Sequence, residues 1–100
     1  MYHHIVLFKL NTSLGSKEKL MVMNRFKKEI EALPAEISYI RQVSVNFNVN
    51  PTESWDIALV SCFDTLDDVR NYGSHPLHQQ AASALKPYIE SRACVDFEEK

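Results

Sequence analysis

Trp55-Asp-Ile-Ala-Leu-Val-Ser-Cys-Phe63 reads as a β-strand with apolar side chains on both faces: Trp55, Ile57, Leu59 and Phe63 on one, Ala58, Val60 and Cys62 on the other. A strand solvated on one side alternates apolar with polar residues. This one does not, so both its faces must be covered. Tyr2–Leu10 behaves alike, because Ile5, Val6, Leu7 and Phe8 point in turn to opposite sides. Two further segments alternate cleanly. In Ile40–Val49, Val43, Val45, Phe47 and Val49 share one face and Gln42, Ser44, Asn46 and Asn48 the other. In Ser91–Glu98, Ala93, Val95 and Phe97 alternate against Arg92, Cys94, Asp96 and Glu98.

Between the strands lie helical patterns. Leu20, Met23, Phe26, Ile30 and Leu33 form one apolar stripe, with Ser16 expected as N-cap and Pro34 as the stop. Thr65-Leu-Asp-Asp68 fits an N-cap with an acid three residues on. Leu66, Val69 and Tyr72 follow on one side. Gly73-Ser-His-Pro76 then interrupts the helix, and Pro76 suits the first turn of a second segment capped by His75 or Ser74. Leu77, Ala81, Ala84 and Leu85 carry the stripe of that segment.

The order β-α-β-β-α-β predicts an α+β, ferredoxin-like fold over residues 1–100 as a single domain: an antiparallel sheet of strand order 4-1-3-2 with the helices on one face. Helices on one face leave the other face of strands one and three bare. An exposed apolar patch of that size is unusual in a monomer. The expected remedy is a homodimer packed sheet to sheet about a two-fold axis.

Composition narrows the partners. With 11 basic and 13 acidic residues spread along the chain, net charge −2, no nucleic-acid footprint is expected. The longest apolar run, Ile5–Phe8, is far short of the roughly 20 residues that span a bilayer, so no membrane partner is expected. Met1-Tyr2-His3-His4 lacks a basic segment followed by an apolar core, so no secretory signal is expected. A cytoplasmic setting follows, with Cys62 and Cys94 reduced, buried and inert. They would lie two strands apart, about 9.6 Å, beyond the Cα limit of about 7 Å for a disulfide.

Tyr72, His75 and His78 form the one dense cluster of potentially reactive groups. Histidine titrates near neutral pH, so His78 has the chemistry of a general base and Tyr72 that of an acid or oxyanion donor for an enolisable substrate. The alternative is structural: His75 caps the Pro76 helix, His78 packs and Tyr72 fills the core. His3 and His4 are adjacent in a strand, point to opposite faces and cannot chelate together. His75 and His78 fall short of a metal ligand set, and two glycines, Gly15 and Gly73, leave no room for a phosphate loop. No cofactor or metal is therefore expected. Trp55 and the Asn46–Ser54 segment read as a hairpin loop with an aromatic anchor, or as a pocket rim.

His4-Ile-Val-Leu-Phe-Lys9, Ala58-Leu-Val60 with Phe63-Asp64, Tyr72-x-x-His75-Pro76-x-His78 and Val95-Asp-Phe97 together resemble the stress-responsive A/B barrel (Dabb) family. The resemblance runs from His4 to Phe97. It implies a dimeric α+β barrel. Plant polyketide cyclases similar to this family close an aromatic ring with a His and a Tyr in a cavity between sheet and helices. The matching positions here are His78 and Tyr72, with His4 matching a strand-one cavity histidine. A further cavity histidine of those enzymes falls at Ile57, an aliphatic departure. Two functional readings stand: a small-molecule pocket for cofactor-free chemistry on a carbonyl or polyketide-like compound, or a non-enzymatic dimeric stress-response protein with a structural or stabilising role. A cleft lined by His4, Tyr72 and His78 favours the first; a core filled by Phe8, Trp55, Phe63 and Tyr88 favours the second.

Overall fold

Strand β1 (Tyr2–Leu10) runs through the middle of a four-stranded sheet, between β3 (Ile57–Phe63) and β4 (Ile89–Glu98), with β2 (Gln42–Phe47) on the far edge beside β3. All neighbours are antiparallel, and the order β2-β3-β1-β4 is the expected one. This computed structural model describes residues 1–100. Helices α1 (Ser16–Glu31), α2 (Leu66–Ser74) and α3 (Pro76–Ser83) complete it, with short 3₁₀ turns at Leu33–Ala35 and Lys86–Tyr88. No helix is long and apolar enough to cross a membrane.

Register fixes the two faces. Val6 is paired with Leu59, Phe8 with Ile57, and Val45 with Leu59, so these side chains share one face. They are buried in one cluster with Met23, Phe26 and Ile30 of α1, Val69 and Tyr72 of α2, and Ala81 of α3. The fold is thus α+β and ferredoxin-like, with its helices on one side. On the opposite side Ile5 pairs with Val60 and Val95, and Leu7 with Ala58 and Ala93. No helix of the chain covers that face, and Val95 and Phe97 are 56% and 46% exposed.

Three local expectations are corrected. The N-cap of α1 is Gly15 with no side-chain bond, not Ser16, which is already helical. Leu20 does not join the apolar stripe and is 54% exposed. Lys19, one turn before Met23, takes the inward place, its Nζ 3.2 Å from Asp56 Oδ1. Trp55 lies before β3, whose pairing with β1 starts at Ile57↔Phe8; the Asp56 carboxylate accepts from the Leu10 N–H at 2.7 Å.

The helix starts make an opposed pair of expectations. Thr65→Ala removes the hydroxyl that accepts from the Asp68 N–H at 3.0 Å and should cost about 1 kcal/mol. Ser16→Ala should stay within about 0.5 kcal/mol of wild type. Urea unfolding of both variants checks this.

Candidate functional site

The site begins at the break between α2 and α3. His75 precedes a proline, which disfavours helical backbone at that residue, and it is extended at φ −65°, ψ 134°. Its Nδ1 accepts from the Leu77 N–H at 3.1 Å, so His75 is the cap of α3. Gln79 Nε2 donates to the Gly73 carbonyl at 2.8 Å and ties the corner together. This corner folds α3 back so that His78 meets Tyr72, with ring centroids 4.4 Å apart.

Tyr72 is fully buried, its ring 5.2 Å from Phe63 and edge-on to His4 at 6.4 Å. Its hydroxyl has no hydrogen-bond partner, and neither has His78 Nδ1; both atoms are buried. An unsatisfied buried polar atom costs about 1–3 kcal/mol, and natural proteins carry few of them. Burial pushes the Tyr72 pKa well above its ordinary value, so the hydroxyl keeps its proton. Burial also lowers the His78 pKa; contact with the Gly73 backbone opposes this, and His4, Arg92 and His75 add to it. His78 is therefore neutral at pH 7.

His4 reaches the same region from β1. Its cross-strand partner is Asp96, whose Oδ1 lies 2.5 Å from His4 Nδ1. A carboxylate only accepts, so Nδ1 carries the hydrogen of this bond, and Nε2 is the ring nitrogen that Asp96 leaves unengaged. Ser61, buried on β3, donates to the His4 carbonyl at 3.2 Å. Cys94 Sγ is 3.6 Å from His4 Nδ1. His4, Cys94 and Asp96 together offer three donor atoms within 4.8 Å of one another, the group in this fold that could hold a cation. The His4–Asp96 bond and the alternation of β4, which sets Cys94 on the same face as Asp96, account for their grouping.

A cavity of about 340 Å³ lies between sheet and helices, walled by His4, His78, Gly73, Lys86 and Arg92 and otherwise by apolar side chains such as Phe8 and Leu85. That volume lies at the small end of the range for small-molecule sites. A Cβ added at Gly73 would meet nothing within 4 Å, so the absent side chain widens the space. Of the three candidate residues, His4 and His78 line the cavity; Tyr72 is not part of its wall and adjoins it through the His78 ring. Trp55 and Asn46–Glu53 residues border a separate hollow of about 270 Å³ at the other end of the sheet. His3 lies on the uncovered face, stacked on Phe97 at 4.9 Å and with Nδ1 3.1 Å from Cys62 Sγ.

Sequence reasoning missed Cys94 and Asp96 as neighbours of His4 and Arg92 as a residue of the cavity wall. The signal was there: these residues alternate with Ala93, Val95 and Phe97, and an antiparallel pairing with β1 sets one of the two sets beside His4. The expectation that both thiols are buried fails at Cys94, which is exposed, whereas Cys62 is buried. β4 is an edge strand beyond the reach of the helices, so its helix-side residues stay open. The two thiols also sit on opposite faces, Cys62 level with His3 and Cys94 with Val6.

The profile of the stress-responsive A/B barrel domain matches residues 2–99. The chain belongs to that family. An uncharacterized protein of Streptomyces coelicolor is 30% identical over 99 residues, 98% of this chain and 99% of that one. A dimeric protein of unknown function with a ferredoxin-like fold from Bacteroides fragilis is 56% identical, with a TM-score of 0.96 over 98% of this chain and 95% of that one. The hydroxynitrile lyase of Passiflora edulis shares the fold at a TM-score of 0.79 and 15% identity, covering 99% of this chain and 93% of that one.

The thiols of this A/B barrel protein should separate in reactivity. An aromatic disulfide reagent should label one thiol of the native protein and two in denaturant, and Cys94→Ser should abolish the native reaction. Partial burial and then the charge of Asp96 raise the Cys94 pKa, so labelling should accelerate as pH rises above neutral. Equal labelling of both thiols in the native state would contradict the placement.

Proposed function

We propose that this A/B barrel protein is a homodimeric enzyme that moves a proton on an enolisable carbonyl compound bound between sheet and helices, without a cofactor. The observation that carries the reading is the orphaned pair, Tyr72 Oη and His78 Nδ1, beside a cavity that is otherwise apolar. Two buried polar atoms without partners are costly in the free protein; His78 lines the cavity and Tyr72 lies behind its ring, so a ligand carbonyl and its α-hydrogen engage both when the His78 ring turns on binding. In the proposed step the α C–H bond breaks and its proton passes to neutral His78. The electron pair moves onto the carbonyl oxygen, which accepts a hydrogen bond from the Tyr72 hydroxyl once the His78 ring has turned from between them. His4, oriented by Asp96, presents its second nitrogen as a further polar contact. Return of the proton from His78 to carbon, or attack of the enolate on a second carbonyl, completes isomerisation or aldol-type ring closure. The hydroxynitrile lyase of this fold supports the reading only in that the architecture can house an enzyme.

The homodimer is supported by the uncovered apolar face of β1, β3 and β4 and by the dimeric state of the Bacteroides fragilis protein at 56% identity. Two such faces packed together would bury Ile5, Leu7, Val60, Val95 and Phe97.

Solvent deuterium wash-in at the α-carbon of an aliphatic methyl ketone tests the chemistry. His78→Ala should slow it by about 10²–10⁴-fold, and Tyr72→Phe by less. Equal exchange with wild type and His78→Ala would favour the non-enzymatic stabilising role instead. The rate should fall as pH drops, with its inflection below the ordinary histidine value of about 6.5, because burial disfavours the imidazolium. The same preference for the neutral ring gives stability above the unfolded value of about 6.5, lost as pH falls through the lower folded value.

Val60→Lys places a charge in the proposed dimer contact. Light scattering should then report a shift from twice the chain mass toward the 11.5 kDa monomer, with the helix-side core intact. An unchanged dimer would contradict sheet-to-sheet packing.

A further inference from the structure

We infer that the ligand of this cavity is an amphipathic carboxylate, its apolar tail inside and its carboxylate held at the mouth by Arg92 and Lys86. The inference rests on the cavity being a binding site, as proposed above, and adds the charge and shape of what it binds.

The chain carries more acidic than basic residues, 13 against 11, yet the cavity wall contains Arg92 and Lys86 and no acid at all. Of the basic residues, Lys17, Lys28, Lys86, Arg92 and Lys100 form no ion pair, and of these only Lys86 and Arg92 line the cavity. Lys9 pairs with Glu90, Lys19 with Asp56, Lys27 with Glu31 and Arg41 with Asp64. Arg92 and Lys86 pair with nothing among the eight ion pairs of the chain. The two acids that flank the site along β4 are engaged elsewhere, Glu90 by Lys9 at 3.1 Å and Asp96 by His4 at 2.5 Å, and neither is part of the cavity wall.

Placement agrees with this. Arg92 stands opposite Phe8 on the helix side of the sheet, is exposed, and meets no acid there, its side-chain contact being with the neutral Cys94 thiol. Lys86 comes from the turn that leads into β4, also at the open rim. A guanidinium matches a carboxylate through two parallel N–H donors, and a lysine ammonium adds a point charge. The interior behind them, Val6, Phe8, Phe26, Leu59 and Leu85 among others, suits an unbranched hydrocarbon tail. Such a ligand would run from the cationic rim past His4 and His78, placing a carbonyl in its chain beside the orphaned pair.

Calorimetric titration of the full-length protein with octanoate and with its neutral twin octanamide tests this. Octanoate should bind about tenfold or more tightly at low salt, the size expected of charge-assisted hydrogen bonds. The gap should narrow as salt is added, since both cations are exposed. Arg92→Gln should remove most of the preference, Arg92→Lys should retain part of it, and Lys86→Gln should reduce it independently. Both residues are exposed, and circular dichroism should show the variants folded. Equal affinities for the two ligands, a preference that survives Arg92→Gln, or no binding of either ligand would overturn the inference. His78→Ala should keep the octanoate preference while losing deuterium exchange, which separates failure of the charge inference from failure of the proton-transfer reading.

Discussion

β1 and β3 place apolar side chains on both sides of the sheet, and the three helices of the chain cover one side. Most of the remaining architecture answers to that imbalance. On the covered side, Val6, Phe8, Ile57 and Leu59 are sealed by α1, α2 and α3 into one core. On the other, Ile5, Leu7 and Val60 continue into Ala93, Val95 and Phe97, an apolar surface that water would leave poorly solvated. β4 resolves the conflict with reversed sidedness. Its apolar residues join the uncovered face, and its polar residues look toward the helices, which do not extend over it. The helix side of β4 is therefore a polar margin beside an apolar core, and His4, at the end of β1 that borders it, finds Asp96 there.

The corner at Gly73–Pro76 sets a cavity beside that margin. His75 is consumed as a helix cap, which frees His78, three residues on, to face back toward Tyr72. Packing alone would favour filling the space they border. Instead Gly73 and Ala82 hold it open, and two polar atoms are left without partners. Each such atom costs stability on the order of 1–3 kcal/mol, a sizeable part of the margin by which a domain of this size is folded. A core shaped only for stability would remove them.

How much of this was legible in the sequence depended on whether one strand or two were needed to read it. The strand order follows from the order of the elements and right-handed crossovers, and the buried face of β2 from single-strand alternation, because Val43, Val45 and Phe47 can only be the buried set. The His75 cap and the Thr65 cap are local patterns and were equally legible. The exposed Leu20 was not, because a stripe with spacings of three and four tolerates either Lys19 or Leu20 inward until the Asp56 carboxylate selects the lysine. The cationic wall of the cavity was not legible either. Alternation in β4 separates Arg92, Cys94 and Asp96 from Ala93, Val95 and Phe97, but says nothing of which set faces the helices, and the usual preference for apolar residues inward points the wrong way. Tyr72 and His78 stood out as a cluster of reactive groups, and family resemblance added His4. Their arrangement, with Tyr72 outside the cavity wall and His4 oriented by Asp96, required the fold.

The central claim is that the Tyr72 hydroxyl and His78 are kept unpartnered for a ligand rather than for the fold. The most direct test is the equilibrium unfolding free energy of Tyr72→Phe, measured in urea without ligand. The account predicts a variant as stable as wild type or more so, by up to about 1–3 kcal/mol, since the substitution deletes an unsatisfied buried hydroxyl and leaves the ring packing in place. A loss of 1 kcal/mol or more, about the net worth of an intramolecular hydrogen bond, would mean that the hydroxyl already has a partner in the free protein and would contradict the account.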